Sequence, residues 1–538
     1  MSTIYARSRE RSDKGPPPML AHFVLACCGL AATPARPAYW VYLTDKGLSP
    51  VQESAAIDAM ESTADPLQVA RRRLRRTDPG LFDARDLPVS PAALEGVLAT
   101  GATLRQTSRW LNAVSVEASA DQIDAIANLP GVASIRPVAT GHRLTPIAPD
   151  DALASGPGLS RDFYGYSSAQ LNQMNLPALH SQGFRGQGVV IAVLDTGLVR
   201  THAAFNNPAN PLNLIASYDF VKHDDNVGIQ AGDDPDQHRH GTWITGCIGS
   251  YWPDTLVGGA YQASFIMCKT EDLPTETPIE EDNYVAGVEF AEAHGADVCT
   301  SSLGYIDWYT QAQLNGTTAV TTQIVNIASA NGVHFCTAMG NSGHDANPAL
   351  SHFIAPADAF HVISCGALDE AGNIAGFSSD GPTADGRVKP EILARGVNTL
   401  TVSSSNDSNL AQVSGTSLST PLIAAAVACI TSAHPNWTVA QMRRAILSTA
   451  RDQVANGTFD PTFVRGYGLI DAAAAAAFPI CSADFDADGT VDFFDYDAFV
   501  NCFEGTACPP GATADFDGDD TVDFFDYDAF VVAFEAGC

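Results

Sequence analysis

Positive charge is scarce in this chain of 538 residues, in which 29 lysines and arginines stand against 61 aspartates and glutamates, a formal net charge of −32 at pH 7. A surface of that sign repels phosphate backbones, which argues against nucleic acid as a partner of the whole chain. The chain also lacks an uninterrupted apolar run approaching the ~20 residues of a membrane-spanning helix, so no membrane span is predicted. Hydrophobic residues still make up 45% of the sequence, enough for a large core, and the length predicts more than one domain.

The N-terminus has the layout of a secretory signal. Basic residues within 7–14 precede an apolar stretch at 19–32, and small residues follow. Residues 1–35 are therefore predicted to be a signal peptide of a secreted, extracellular protein, although translation could also begin at Met19. A lipoprotein cleavage site at Cys27 is disfavoured because the apolar segment ahead of it is short.

Residues 36–144 are predicted to form a small, separate α+β unit. Alternating and helical patterns within it predict strands at 39–44, 113–117 and 132–136, and helices at 91–98 and 120–127. The basic run Arg71–Arg76 is predicted to be a solvated helix face. A processing site or a nucleic-acid patch is the alternative for this run.

Three short motifs supply an aspartate, a histidine and a serine with the surroundings that a hydrolytic site needs. The β-branched run at 189–195 predicts a buried parallel strand ending at Asp195, at the edge where α/β sheets place their sites. His240 precedes Gly-Thr and a short apolar helix. Ser417 begins another helix, where free N–H groups favour negative charge, and Pro421 is expected in the first helical turn, where its missing N–H is no loss. Each motif alone has an ordinary structural explanation, but the order Asp, His, Ser matches a known catalytic triad.

A fourth motif provides a candidate donor for the oxyanion. Asn341 follows a predicted strand at 333–340, and its amide could donate to the oxyanion alongside the N–H of Ser417. With Asp-Thr-Gly, His-Gly-Thr, Gly-Asn-Ser-Gly and Gly-Thr-Ser-x-Ser-x-Pro in that order, the sequence resembles the subtilisin-like serine peptidases, or subtilases. An aspartic peptidase would need a second Asp-Thr/Ser-Gly, and the related sedolisins lack His-Gly-Thr. His238 is the nearest substitute base, but the Gly-Thr that follows identifies His240.

This resemblance implies a parallel sheet with helices on both faces over residues 145–478, preceded by an inhibitory propeptide at 36–144. It implies that Ser417 is the nucleophile of a serine endopeptidase, that His240 is the general base, that Asp195 orients His240, and that catalysis needs no cofactor. Protein or peptide substrates would pair with one backbone edge and fill a pocket for the residue before the cut; the matching residues are Ser302, Leu303 and Gly304 for the edge, and Ala338, Met339 and Gly340 for the pocket. An inactive binding or surface-attachment protein with the same fold is the alternative.

The tail, residues 479–538, contains an internal repeat with a period of 31 residues. In each copy, aspartates fall at loop positions 1, 3, 5, 9 and 12, and a threonine carbonyl falls at position 7, as in a calcium-binding EF-hand loop. The tandem copies, with Asp at position 12, resemble dockerin-type repeats, which implies two calcium ions and, by analogy, a cohesin-like or cell-surface partner. A disordered acidic tail is the alternative, but the aromatic residues can build a small core. The predicted ligands are Asp484, Asp486, Asp488, Thr490, Asp492 and Asp495, and then Asp515, Asp517, Asp519, Thr521, Asp523 and Asp526.

Two of the twelve cysteines, Cys27 and Cys28, belong to the predicted signal peptide, and the other ten divide into two groups with different expected states. Four crowd the tail, where a small secreted module needs disulfides: Cys481, Cys502, Cys508 and Cys538. Six fall in predicted strands and helices and are expected to be free, buried side chains: Cys247, Cys268, Cys299, Cys336, Cys365 and Cys429.

Overall fold

The structure is a computed structural model. It describes residues 36–138, 147–153, 162–273, 280–304, 309–486, 490–509, 512, 514–516 and 521–537. The predicted signal peptide lies outside the described residues, as do three of the predicted calcium ligands, Asp488, Asp517 and Asp519. From Pro37 onward the chain forms one compact unit.

The N-terminal unit, residues 37–138, is a four-stranded antiparallel sheet with helices packed on it. The strands and helices predicted from sequence are confirmed to within one or two residues, and the helix predicted at the basic run lies in α2, whereas one helix, α1, and one strand, β2, were missed. Its elements are β1 (Ala38–Leu43), α1 (Pro50–Thr63), α2 (Pro66–Arg75), α3 (Pro91–Ala99), β2 (Thr103–Ser108), β3 (Ala113–Glu117), α4 (Ala120–Ala127) and β4 (Val132–Pro137).

The missed elements lack the apolar periodicity on which sequence prediction depends. α1 buries no residue fully, so its sequence carries no apolar face. β2 is mostly polar and half exposed. For α2 the helix was predicted but its burial was not, because the buried face consists largely of arginines, which no hydrophobic pattern can identify.

A seven-stranded parallel sheet forms the centre of the molecule, in the strand order β14-β13-β12-β11-β6-β10-β7. This confirms the predicted fold class. The elements that build it and lead into it are β5 (Ile147–Leu153), α5 (Ser168–Gln173), α6 (Leu176–Ser181), β6 (Val190–Asp195), β7 (Asn213–Asp219), α7 (Arg239–Gly249), β8 (Tyr251–Trp252), β9 (Leu256–Val257), β10 (Ser264–Lys269), α8 (Glu280–Ala293), β11 (Val298–Ser301), α9 (Val320–Ala330), β12 (His334–Ala338), β13 (Ile363–Leu368) and β14 (Ile392–Arg395).

Helices cover both faces of this sheet. α8 and α9 pack against one face of the sheet and form a hydrophobic core with it. α7 and helices within residues 416–476 form a second core with the other face. The remaining elements of this part of the chain are β15 (Thr399–Val402), β16 (Leu410–Ser414), α10 (Thr416–Ala433), α11 (Val439–Thr449), α12 (Arg451–Asn456) and α13 (Ala472–Ala476). Among the described residues, only α10 is long and apolar enough to cross a membrane, and 89% of it is buried inside the protein.

The N-terminal unit docks on α8 through buried acidic side chains. Glu281 accepts a hydrogen bond from the indole N–H of Trp40 at 3.3 Å, and Asp282 accepts one from Nε of Arg105 at 2.8 Å. Glu289 accepts backbone N–H groups of the segment between β2 and β3. The contact is therefore specific and polar rather than a purely apolar surface.

Helix α2 shows that the solvated-face interpretation of the basic run is wrong. Arg71, Arg72, Arg75 and Arg76 are each at most 3% exposed. Arg71 and Arg72 both bind the buried carboxylate of Glu292 near the end of α8, with Arg72 Nε 2.7 Å from Oε1, and Arg75 and Arg76 reach a carbonyl and an amide oxygen beyond the end of α9. Guanidinium groups suit this position because helix C-termini carry partial negative charge and the carboxylate is planar.

The tail module comprises the described residues from 481 to 537 and contains α14 (Phe493–Phe503) and α15 (Phe524–Ala536). Its core joins equivalent residues of the two repeats: the rings of Phe499 and Phe530 stack at 4.0 Å, and the hydroxyls of Tyr496 and Tyr527 form a hydrogen bond. The tail therefore folds around its aromatic residues, as its composition predicted.

The predicted division of the cysteines agrees with the structure for the residues that it describes, and Cys538 lies outside them. Cys502 and Cys508 form a disulfide, and Cys481 is also disulfide-bonded. The six cysteines predicted to be free are all buried and unbridged.

Candidate active site

Asp195 and His240 form a buried hydrogen-bonded pair at the edge of the sheet. Asp195 is the last residue of β6, and His240 lies in the first turn of α7. Nδ1 of His240 is 2.8 and 2.9 Å from the two carboxylate oxygens, and both side chains are at most 1% exposed. With Nδ1 donating to the carboxylate, Nε2 is left as the basic nitrogen of the ring.

Gly241 allows this close approach of α7 to β6. A Cβ at this position would lie 2.2 Å from the carbonyl oxygen of Gly197 and 3.2 Å from Cβ of Asp195. Any larger residue would push the helix, and with it His240, away from the carboxylate. The Gly of His-Gly-Thr is therefore needed for the geometry of the pair.

His238, the alternative base, belongs to a different cluster of charges. Its Nε2 lies 3.5 Å from a carboxylate oxygen of Asp233, which is 3.7 Å from the ammonium group of Lys269. Burial, with the positive charge of Lys269, lowers the pKa of His238. The structure brings His240, not His238, to Asp195.

Ser417 lies in the first turn of α10, two residues after Gly415, and is fully buried. Its Oγ is 3.4 Å from the carbonyl oxygen of Ser302. Pro421 was predicted to lie in the first turn of the helix, and this prediction is wrong, because Pro421 lies within the second turn. Its lack of an N–H therefore removes a hydrogen bond that the helix would otherwise make.

Asn341 lies three residues beyond the end of β12 and is oriented by the segment ahead of Ser417. Its Oδ1 accepts hydrogen bonds from the backbone N–H of Thr416 at 2.9 Å and from the Thr416 hydroxyl at 3.0 Å. Its Nδ2 is buried and has no hydrogen-bond partner among the described residues. A Cβ at Gly415 would come 3.5 Å from Nδ2, so the glycine keeps the space beside this donor open.

The two predicted substrate-binding segments lie at the carboxyl ends of adjacent strands. Ser302, Leu303 and Gly304 follow β11, and Ala338, Met339 and Gly340 end and follow β12, its neighbour. All six residues are buried.

Ile354 lies between these two segments, and sequence reasoning missed it. Its N–H donates to the carbonyl of Met339 at 3.3 Å, and its Cδ1 is 2.0 Å from where a Cβ on Gly304 would lie. A sequence signal for this contact does not exist, because residue 354 carries no motif and reaches Gly304 only through the fold.

The first tail repeat brings three of its predicted calcium ligands together. Carboxylate oxygens of Asp484, Asp486 and Asp495 all lie within 4.8 Å of one another. Asp495 also accepts the backbone N–H groups of Asp486 and Asp492, at 3.1 and 2.8 Å, which fixes its position beside the loop. Several oxygens at this spacing are the donor set that calcium prefers.

The second repeat shares part of this arrangement. Asp526 accepts the N–H groups of Phe516 and Asp523 at 2.6 and 2.8 Å, and Asp523 caps α15 as Asp492 caps α14. The predicted ligands Thr490, Asp515 and Thr521 lie in the corresponding loops. One predicted ligand of the first repeat, Asp484, also forms an ion pair with Arg444 on α11.

The site combines a hydrogen-bonded aspartate and histidine with a serine at the start of a helix and an oriented amide, all at the same edge of a parallel sheet. These features define the class of subtilisin-like serine peptidases. Comparison with known families agrees. The family model described as the subtilase family matches residues 186–469, and that of the peptidase S8 propeptide domain, Bacteroidota, matches residues 38–149. The chain belongs to the subtilase family and is a serine endopeptidase with a propeptide.

Similarity to individual proteins is in keeping with this assignment. The chain is 30% identical over 306 residues to a subtilisin of Bacillus pumilus, covering 57% of this chain and 97% of that protein. It is 31% identical over 308 residues to subtilisin E of Bacillus subtilis (strain 168), covering 57% and 70%. Its fold is similar to that of fervidolysin from Fervidobacterium pennivorans, with a TM-score of 0.59 at 22% identity, over 82% of this chain but 61% of fervidolysin.

Proposed function

We propose that this protein is a secreted, self-processing endopeptidase whose nucleophile is Ser417. The observation that carries the proposal is the buried Asp195–His240 pair at the sheet edge where Ser417 lies in the first turn of α10. No cofactor takes part in the chemistry proposed here, because the nucleophile, base and oxyanion donors are all protein groups.

The mechanism follows from the chemistry of these groups. His240 takes the proton of Ser417 as Oγ attacks the scissile carbonyl, and Asp195 stabilises the imidazolium that forms. The oxyanion is held by Nδ2 of Asn341 and by the N–H of Ser417, at the positive end of α10. His240 then protonates the leaving amine, and water hydrolyses the acyl-enzyme by the same route.

Substrate recognition is assigned to the two segments at the ends of β11 and β12. The backbone of residues 302–304 would pair with an extended peptide, which leaves side-chain selection to the pocket at residues 338–340. The apolar side chains of Ala338 and Met339 favour an apolar residue before the cut.

The zymogen is proposed to consist of a signal at 1–35, a propeptide at 36–144, a peptidase domain at 145–478 and a repeat module at 479–538. The pairing of β5 with β16 supports self-processing. Ile147 lies opposite Ser414, three residues before Ser417, and the strands are antiparallel, so the N-terminal end of β5 is the end nearest the nucleophile. We therefore expect the mature chain to begin close to Ile147.

The tail module is proposed to bind two calcium ions through the acids and threonine carbonyls of its two loops. The carboxylate cluster of the first repeat supports this. A role in attachment to a cohesin-like or cell-surface partner is supported by paired aromatic residues at the start of each helix, which are about 70% exposed: Phe493, Phe494, Phe524 and Phe525.

Replacement of Ser417 by alanine tests the proposed function. The wild-type chain, produced in a protease-deficient host, should lose the propeptide, and its N-terminal sequence should begin close to Ile147. The Ser417→Ala chain should retain the propeptide, because the first cut is made by the enzyme's own site. Processing of the alanine variant at the wild-type rate would contradict this function for Ser417.

A further inference from the structure

The carbonyl of Ser417 occupies an unusual position in α10. In a regular helix it would accept the N–H of residue 421, but Pro421 has none, and its ring crowds the carbonyl four residues before it. The hydroxyl of Ser302, on the loop after β11, donates to this carbonyl at 2.9 Å instead. Ser302 is 2% exposed, so no bulk water can take its place.

A second contact joins the same two residues in the opposite direction. Oγ of Ser417 is 3.4 Å from the carbonyl oxygen of Ser302. Ser302 thus contacts both the backbone and the side chain of Ser417, from the loop that follows β11, the strand paired with the strand of Asp195. The first helical turn is fixed to the sheet edge at the residue whose Oγ must reach the substrate carbonyl.

We propose that Ser302 is a positioning residue for the nucleophile and that its hydroxyl replaces the helix N–H missing at Pro421. The inference rests on the proposed role of Ser417 and adds a role for the Ser302 side chain that is separate from backbone recognition of substrate. A misplacement of the order of 1 Å in a reacting group costs about 10²-fold in rate, so a tie on the nucleophile's own peptide unit acts on kcat.

The neighbouring Ser419 shows what distinguishes Ser302. Its hydroxyl donates to the carbonyl of Thr416 at 2.9 Å, but that carbonyl also accepts the hydroxyl of Thr420 at 2.8 Å. Loss of the Ser419 hydroxyl therefore leaves its acceptor satisfied. Loss of the Ser302 hydroxyl removes a donor that the helix cannot replace while residue 421 is proline.

A double-mutant cycle between residues 302 and 421 tests the proposal. The variants are Ser302→Ala, Pro421→Ala and the double variant, and Ser419→Ala is the control. Each is assayed on a peptide amide, and its rate is divided by the concentration of active sites, which is titrated with a serine-directed phosphonate. We expect Ser302→Ala to lower kcat about tenfold with KM changed less than about twofold, the loss given by one unpaired buried carbonyl. The control should keep wild-type kcat.

The double variant gives the decisive result. Pro421→Ala restores an N–H four residues after Ser417, so it should recover most of the kcat lost in Ser302→Ala while changing wild-type kcat little. Ser302→Cys, a weaker donor of nearly the same shape, should fall between wild type and Ser302→Ala. The urea midpoint of each variant separates loss of fold from loss of position.

Two outcomes would overturn the inference. Full kcat in Ser302→Ala would show that the hydroxyl does not position Ser417, and strictly additive losses in the double variant would show that Ser302 does not replace the missing N–H. A wild-type protein that neither hydrolyses the amide nor is labelled at Ser417 would instead overturn the proposed function.

Discussion

The side-chain oxygen of Asn341 accepts a hydrogen bond from the backbone N–H of Thr416, 2.9 Å away, one residue before Ser417. Because the amide oxygen is fixed in this way, Nδ2 is aimed elsewhere, and it is a buried donor without a partner among the described residues. A buried, unpaired donor costs folding free energy. Its presence here is explained if a substrate oxyanion supplies the missing acceptor.

Asn341→Ala should lower kcat by about 10²–10³ with little change in KM, because the lost hydrogen bond forms in the transition state. Asn341→Asp should be no better, since a carboxylate cannot donate. Asn347→Ala, at an exposed asparagine of the same loop, is the control. Steady-state kinetics on a peptide amide measure the effect, and a change confined to KM would contradict the donor role.

Arg72→Gln should weaken the contact between the propeptide and the rest of the chain. Arg72 is fully buried between Glu292 and Asp86, and removing one partner of a buried ion pair costs about 3–5 kcal/mol. Arg73→Gln removes the same charge from the next residue, but the Arg73 side chain is 62% exposed, so we expect a loss below about 1 kcal/mol. Urea unfolding of both variants in the uncleaved Ser417→Ala chain compares them. Equal losses would show that burial of the ion pair is not what holds the contact.

The stability of the uncleaved chain should fall as the pH drops from about 6.5 to 4. Burial, with only partial compensation from a bond to the carbonyl of Gly259, lowers the pKa of His180 to about 4. The unfolded chain takes up this proton near pH 6.5 and the folded chain does not. The contribution of neutral His180 to the unfolding free energy is therefore fully present above pH 6.5. As the pH falls toward 4, this contribution is lost at about 1.4 kcal/mol per pH unit.

His180→Gln should reduce the slope of unfolding free energy against pH by about one proton over this range. His223→Asn, which removes an exposed histidine, serves as the control for the loss of one imidazole from the chain. Urea titrations of the Ser417→Ala chain at several pH values give both slopes. An unchanged slope in His180→Gln would show that His180 does not stay neutral on folding.

Calcium should bind the tail and stabilise it. We expect calorimetry on the full-length Ser417→Ala chain to detect two tail sites that Asp495→Asn reduces to one, because Asp495 belongs to the carboxylate cluster of the first repeat. Asp497→Asn removes the same charge from an exposed position on the same helix and should keep both. Identical calcium uptake in the two variants would contradict the assignment of ligands.

The candidate catalytic groups could be located from the sequence because each of them lies in a short local motif. Asp195 ends a β-branched run and His240 precedes Gly-Thr. Asn341 and Ser417 each lie in a short motif that contains glycine, so neighbouring residues identify each of the four. The parallel sheet followed from strands and helices that alternate along the chain.

Contacts between distant parts of the chain could not be predicted in this way. The burial of Arg72 depends on Glu292, 220 residues later. The bond from Ser302 to Ser417 depends on a proline whose place in the helix was predicted one turn too early. Sequence pattern and composition indicate the local structure that a residue favours. The burial of Arg72 and the hydrogen bond of Ser302 instead depend on partners that are distant in sequence and come close only in the folded chain.

Labelling by a serine-directed phosphonate, located by peptide mass spectrometry and read beside hydrolysis of denatured casein, tests the central claim most directly. We predict that the processed wild-type protein hydrolyses casein, that one phosphonate is found on Ser417, and that both signals vanish in Ser417→Ala. Absence of hydrolysis and of label on Ser417 would contradict the account and favour an inactive binding protein with the same fold.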